Sequence, residues 1–142
     1  MSFQDQIVRT TQSWVGTPYR HQASAKQVGA DCLGLVRGVW REVLGPEPKK
    51  TPPYGRRFRN RSEADLLVAV AQKHFLPARA EPEIGHLLLF RMRPDLPVRH
   101  CALLVSMDRF IHALERRGVV ETEFDALWRR RLHSFYQFPE GA

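Results

Sequence analysis

Cysteine is scarce in this chain: Cys32 and Cys101 are the only two among 142 residues. That excludes a disulfide framework and predicts reduced thiols. Long apolar runs are missing too. No stretch reaches the roughly 18 residues a membrane-spanning helix needs. The first residues, Met1 to Gln6, lack the basic and apolar regions of a secretory leader, which predicts synthesis in the cytoplasm without a cleaved signal. There is no C-x-x-C or H-x-x-x-H spacing, so nothing in the pattern supports a metal site built from Cys32, His100, Cys101 and His112. No metal and no cofactor is expected. Acidic residues are outnumbered, 15 against 22 Lys and Arg, for a net charge of +7. Most of that charge is arginine, which suggests an anionic partner without naming one. With no internal repeat and no linker, residues 1–142 read as a single domain large enough to bury its own core.

The chain is organised around residues 29–40. Asp31 is a good N-cap residue, because its carboxylate can accept from the free amides of a first helical turn. Cys32 then stands at the first helical position. Leu35, Val36, Val39, Trp40 and Val43 follow it at the spacing of a core-facing stripe. Gly45-Pro46 is a terminator, so the helix is predicted over Cys32 to about Leu44. A free cysteine on such a face is usually a small buried hydrophobe. Here it also sits at the positive end of a helix, which lowers a thiol pKa and favours the nucleophilic thiolate. Gly34 and Gly38, one turn apart, are expected to admit a close backbone.

The rest divides into helices first and strands later. Residues 3–14 place Ile7, Val8, Thr11 and Trp14 on one face of a short helix. Pro18 holds Thr17 extended, and residues 20–30 read as a loop. Residues 46–61 form a long loop with four prolines and then Arg56, Arg57, Arg59 and Arg61. Ser62-Glu63-Ala64-Asp65 resembles a capping box and opens a helix to about Phe75, with Leu66, Leu67, Val70 and Ala71 buried. Strands are predicted over 84–90, 99–105, 109–114, 118–122 and 131–138, with a helical turn over 124–130. The prediction is an α+β fold with an antiparallel sheet.

His100 begins one strand and His112 sits in the next. A three-residue hairpin loop between them puts both on one face as diagonal neighbours, and a two-residue loop puts them on opposite faces. Thiol chemistry needs an imidazole to take the proton and return it to the leaving amine, and a third polar group to orient that imidazole. Cys32, His100 and His112 fill those roles if they share a face. Cys101 should point away from His100. The other histidines, His21, His74, His86 and His133, read as core or surface residues.

Five ordered segments carry a resemblance. They are Trp14-Val15-Gly16-Thr17-Pro18-Tyr19, Ala30-Asp31-Cys32-Leu33-Gly34-Leu35-Val36, Ile84-Gly85-His86-Leu87-Leu88-Leu89-Phe90, His100-Cys101-Ala102-Leu103-Leu104-Val105 and Phe110-Ile111-His112-Ala113. Together they resemble the motifs of the NlpC-type cell-wall cysteine peptidases, bacterial papain-like enzymes. The resemblance implies a papain-like fold, with N-terminal helices packed on a central antiparallel sheet. It implies that Cys32 is the nucleophile, His100 the base and His112 the orienting residue. Tyr19 and Asp31 would lie on the substrate and oxyanion side, with the Cys32 amide as an oxyanion donor. The substrate implied is the stem peptide of peptidoglycan. Three departures stand out: Leu33 where the family has Ser, Glu83 and His86 where it has Pro and Asp, and Cys101-Ala102 where it has Val-Gly. Leu33 and His86 are expected near the substrate pocket.

The set looks most like the branch carried by phage tails and gene transfer agents, which implies tail or baseplate hub proteins as partners and a particle-associated location acting on the wall. The competing expectation is a structural tail or adaptor protein that keeps the fold with little turnover. Arg56 to Arg61 reads as a solvated loop or a docking surface for an acidic partner or wall polymer. Nucleic acid is not the expected partner, since no nucleic-acid fold signature accompanies the charge.

Overall fold

The computed structural model describes residues 1–48 and 66–140. The Arg56–Arg61 segment and the capping box at 62–65 lie outside the described residues. In chain order the elements are α1 (Phe3–Ser13), β1 (Ser24–Ala25), β2 (Gly29–Ala30), α2 (Cys32–Leu44), α3 (Leu66–His74), β3 (Leu76–Pro77), β4 (Leu87–Phe90), β5 (His100–Ser106), β6 (Arg109–Leu114), β7 (Gly118–Glu123), α4 (Ala126–Arg131) and β8 (Leu132–Gln137). Six strands form one antiparallel sheet in the order β3-β8-β4-β5-β6-β7. The fold is the expected mix of helices and antiparallel sheet. Among the described residues no helix is long and apolar enough to cross a membrane.

Strands β4 and β5 are apolar along their whole length because both faces are covered. Leu87, Leu89, Cys101, Leu103 and Val105 face a core shared with Ile7, Leu35, Val39, Leu67 and Ala71 of α1, α2 and α3 and with Trp14, the C-cap of α1. Leu88, Phe90, Ala102, Leu104 and Phe110 face a second, aromatic core closed by Phe124, Trp128 and Phe135. The helical turn expected over 124–130 is helix α4, and it covers the second face. The second lid, α4 with its Asp125 cap accepting from the Trp128 amide, packs Trp128 edge-on to Phe90 and Phe110.

The hairpin between the two histidines resolves the parity question in an unforeseen way. The loop is the two-residue one, Met107-Asp108, between Ser106 and Arg109. Pairing runs Leu103 to Ile111 and Leu104 to Phe110, then Ser106 to Arg109, so Val105 is an extra, bulged residue. The bulge supplies the odd residue that the loop lacks. His112 therefore shares a face with His100.

Two other expectations change. The segment 20–30 is not all loop: β1 and β2 pair as a small antiparallel hairpin, and Tyr19 bridges to Ala30. Leu76-Pro77 forms a short edge strand on β8, where a proline is tolerated because only one side needs donors.

Candidate active site

The start of α2 is fixed by its own neighbours. Asp31, 3% exposed, accepts from the Gly34 amide at 2.7 Å through Oδ1 and from the Gln22 amide at 2.8 Å through Oδ2. Ser24 donates to the Gly34 carbonyl at 2.6 Å. A Cβ on Gly34 would lie 1.8 Å from the Ala23 carbonyl oxygen, so the close backbone anticipated here is Ala23. At Gly38 the neighbour is a side chain, the Trp14 ring, at 2.0 Å from such a Cβ. The helix ends on Gly45, at φ +99°, as the sequence predicts.

The segment before α2 is pinned on both sides. Gly16 donates to the Val119 carbonyl, Val119 donates back to Thr17, and Ala30 donates to Pro18. Tyr19 is thus held beside Ala30, two residues ahead of the thiol, with its ring half-buried against the core. Asp31 belongs to the scaffold: its carboxylate oxygens are spent on the Gly34 and Gln22 amides. The Cys32 amide, at the first helical position, has no acceptor within the helix.

Cys32 and Cys101 are both buried and unpaired by any disulfide. Cys101 lies on the α2 side of β5 and hydrogen-bonds to the Cys32 sulfur. That bond, then the hydrogen bond and positive charge of His100, bring the Cys32 thiol down from 9.0 to about 5, against the opposing effects of burial and the Asp31 charge. Cys101 moves the other way, well above 9.0, because it is the donor in that bond and is itself buried. Cys32 is the sulfur that ionises.

His100 Nε2 lies 2.8 Å from His112 Nδ1, and His112 Nε2 lies 2.8 Å from Thr122 Oγ1. His112 is fully buried. Burial, then the charges of His100 and Arg117, lower its pKa to about 3, so it is neutral at working pH. A neutral His112 that accepts from His100 at Nδ1 must carry its proton on Nε2 and donate it to Thr122. With its Nε2 spent on His112, His100 has Nδ1 left for the thiol.

Phe90 stacks on His100 with centroids 6.2 Å apart, and the Trp128 ring stands 5.4 Å from His112 and 6.1 Å from His100. Among the described residues no group of three His, Cys, Asp or Glu side chains is arranged to hold a metal ion.

Cys32, His100 and His112 are therefore brought together, with Tyr19 held nearby through its backbone. Leu33 and His86 are not part of this cluster. Leu33 is a core residue, 3% exposed. His86 sits at the far end of the β4–β5 pair, where its carbonyl accepts from Leu104, whereas His100 pairs with Phe90. Its ring is buried on Phe135 and accepts from the Glu83 amide through Nδ1. Sequence reasoning missed Thr122, Trp128 and the inward contact of Cys101. Thr122 had a signal: in the regular pairing His112–Val120 it is the polar residue two positions along β7 on the same face.

The family model described as "NlpC/P60 family" matches residues 16–137. Over 123 residues the chain is 25% identical to "Probable endopeptidase NlpC" of Escherichia coli, covering 85% of this chain and 69% of that protein. It is 27% identical over 122 residues to "Murein DD-endopeptidase MepS/Murein LD-carboxypeptidase" of the same species, covering 84% of this chain and 55% of that one. In three dimensions it is similar to the NlpC/p60 domain of peptidoglycan hydrolase SagA, with a TM-score of 0.62 at 18% identity over 95% of this chain and 98% of that one. It is also similar to NlpC2 from Trichomonas vaginalis, with a TM-score of 0.69 at 17% identity over 96% and 46%. The matched span takes in the capped thiol, both histidines and Thr122, and on it this chain belongs to the NlpC/P60 family.

Proposed function

We propose that this chain is a cysteine peptidase that hydrolyses peptide bonds in the stem peptides of peptidoglycan. The observation that carries the reading is one unbroken relay: a thiol with its pKa near 5, His100 beside it, His112 behind His100 and Thr122 behind His112. The family relatives named for endopeptidase and murein activity supply the substrate class.

The mechanism follows from the relay. His100 takes the Cys32 proton at Nδ1 and becomes imidazolium. Neutral His112 accepts from its Nε2 and keeps the ring oriented toward the sulfur. The thiolate attacks the peptide carbonyl carbon, and the Cys32 amide faces the developing oxyanion. His100 then returns its proton to the departing amine as the C–N bond breaks. Water, deprotonated by His100, hydrolyses the thioester and frees the acid and the thiol. Each proton that His100 takes is returned within the cycle.

Purified peptidoglycan digested with wild type and with Cys32→Ala, read by mass spectrometry, tests this. New stem-peptide fragments are expected from wild type alone, with the variant at least about 10³-fold slower. Equal fragments from both would remove Cys32 as nucleophile. None from either would favour a structural protein that keeps the fold with little turnover. A finer proposal rests on the sequence pattern alone: that a phage-tail or gene-transfer-agent particle delivers the enzyme to the wall through its baseplate hub proteins. Its test is whether the chain co-purifies with intact particles.

A further inference from the structure

The mechanism uses one of the two cysteines. Cys101 stands where the motif it resembles has valine, and a valine would fill the same space in the core. What cysteine adds is a second sulfur, and the fold sets it against the first. Alternation along β5 turns Cys101 away from His100 and toward α2. Its partner on β4, Leu89, faces the same core. The Asp31 cap and the close approach of Ala23 to Gly34 hold Cys32 on the first turn of α2, over that face. The two side chains meet there, hydrogen-bonded and with no disulfide between them.

The two sulfurs differ in access and in charge. Cys32 keeps 8% of its surface exposed and Cys101 only 1%. Cys32 is the thiolate, whereas Cys101 keeps its proton and donates it to Cys32. A small oxidant therefore reacts at Cys32, since the thiolate and not the thiol is the nucleophile. A cysteine oxidised to sulfenic acid has two fates. With a thiol in contact it condenses to a disulfide, which a reductant reverses. Without one it goes on to sulfinic acid, which simple thiols do not reduce. Cys101 is that thiol in contact, and the chain holds no third cysteine to compete with it.

We propose that Cys101 is a resolving thiol, so that hydrogen peroxide switches Cys32 off reversibly through an intramolecular Cys32–Cys101 disulfide. The inference rests on Cys32 being the nucleophile of the reading above and adds a regulation of that site. In the first step the Cys32 sulfur attacks one peroxide oxygen. The S–O bond forms, the O–O bond breaks, and the departing hydroxide takes the proton held by His100 and leaves as water. Cys32 is then a neutral sulfenic acid. The hydrogen bond to its former charge is the first cause that keeps Cys101 protonated, so losing that charge frees Cys101 to react. The Cys101 sulfur attacks the Cys32 sulfur. The S–S bond forms, the S–O bond breaks, and hydroxide leaves with the Cys101 proton as a second water. Two thiols have lost two electrons, and one peroxide has gained them. The disulfide takes the thiolate away from His100 and ties α2 to β5.

Peptide mapping by mass spectrometry reads this without any turnover, and it scores the cysteines apart from the exposed methionines. In wild type treated with excess hydrogen peroxide, the peptides that carry Cys32 and Cys101 should be joined, at about 2 Da below their sum. Peptidoglycan cleavage should fall about tenfold or more, and dithiothreitol should separate the peptides and return the rate to within about twofold of the untreated protein. In Cys101→Val the Cys32 peptide should instead gain about 32 Da, two oxygens, and dithiothreitol should leave the variant far below its own untreated rate. Cys101→Ala takes its place if the valine variant does not fold. Oxygen on Cys32 of wild type with no cross-link, a cross-link between two chains, or a Cys101→Val variant that dithiothreitol restores as fully as wild type overturns the proposal. A reversible cross-link in a protein that never cleaves peptidoglycan would overturn the peptidase reading and leave the thiol pair standing. Cleavage by a wild type that peroxide inactivates for good would do the reverse.

Discussion

The thiol half and the imidazole half of the site are built by different means. The thiol is placed by contiguous chain: residues 17–46 contain its cap, its loop contacts and its helix terminator. The imidazoles are placed by register: His100, His112 and Thr122 come from three strands, and their alignment depends on how two hairpins are closed. Local placement tolerates change elsewhere in the molecule. Register placement is all or none, because a slip of one residue turns a side chain to the opposite face.

Deleting Leu103 breaks that comparison most sharply. It keeps the Val105 bulge, the two-residue loop and every charged group, and shortens β5 by one residue between His100 and the Leu104–Phe110 pair. His100 should then turn to the face opposite His112, and kcat/KM should fall by about 10³-fold or more. Circular dichroism should still report the sheet, and alkylation should still find Cys32, whose helix is untouched. A deletion variant with near-normal turnover would show that register does not place the imidazoles.

This division also explains what was legible beforehand. Asp31, Cys32 and Gly45-Pro46 obey near-neighbour rules, so the boundaries of α2 can be read from residues 31–46. Strand existence was equally legible, because an apolar run such as Leu87 to Phe90 marks a buried strand whatever its partners. The Val105 bulge was not. Valine is ordinary in a strand, and nothing local says that it goes unpaired. Cys101 illustrates the same limit. Alternation puts its side chain opposite His100, and the structure agrees; but α2 packs on that face, so the thiol meets Cys32. His86 looked like a pocket residue by motif position and lies at the other end of the strand pair.

The buried histidine should make the imidazole half sensitive to acid. Folded His112 stays neutral to about pH 3, whereas the unfolded residue takes a proton near 6.5. Between those values the unfolded chain holds one more proton, so stability falls as pH falls. The slope reaches about 1.4 kcal/mol per pH unit from this residue. Urea unfolding at pH 4, 5 and 6 should show a shallower dependence for His112→Asn by about that amount. Identical slopes would mean that His112 is protonated in the folded protein.

The thiol half has a subtler dependence, on Cys101. Replacing it with the valine of the family pattern keeps the core apolar and removes the S–H donor. The Cys32 pKa should rise from about 5, by roughly one unit. The rate of iodoacetamide alkylation against pH and the acid limb of kcat/KM should move together. Near pH 8 turnover should be nearly unchanged, and near pH 5 it should fall about fivefold. An unmoved acid limb would assign the thiolate to His100 and the helix end alone.

The smallest effect separates orientation from charge within the imidazole half. Thr122→Val is nearly isosteric and removes only the oxygen that accepts from His112 Nε2. His112 then loses the partner that holds its proton on Nε2, and its other tautomer presents an N–H toward His100. Losing one hydrogen bond of about 0.5–1.5 kcal/mol corresponds to a two- to tenfold drop in kcat/KM. A purely structural role for Thr122 would lower the melting temperature without touching the ring. Nitrogen-15 chemical shifts of His112 discriminate, since the two ring nitrogens report directly which one is protonated. In Thr122→Val those shifts should move toward the Nδ1–H form. Thr122→Ser, which restores the oxygen, should return both the shifts and the rate. Wild-type shifts in the valine variant would mean that His100 alone sets the tautomer, and that the relay ends at His112.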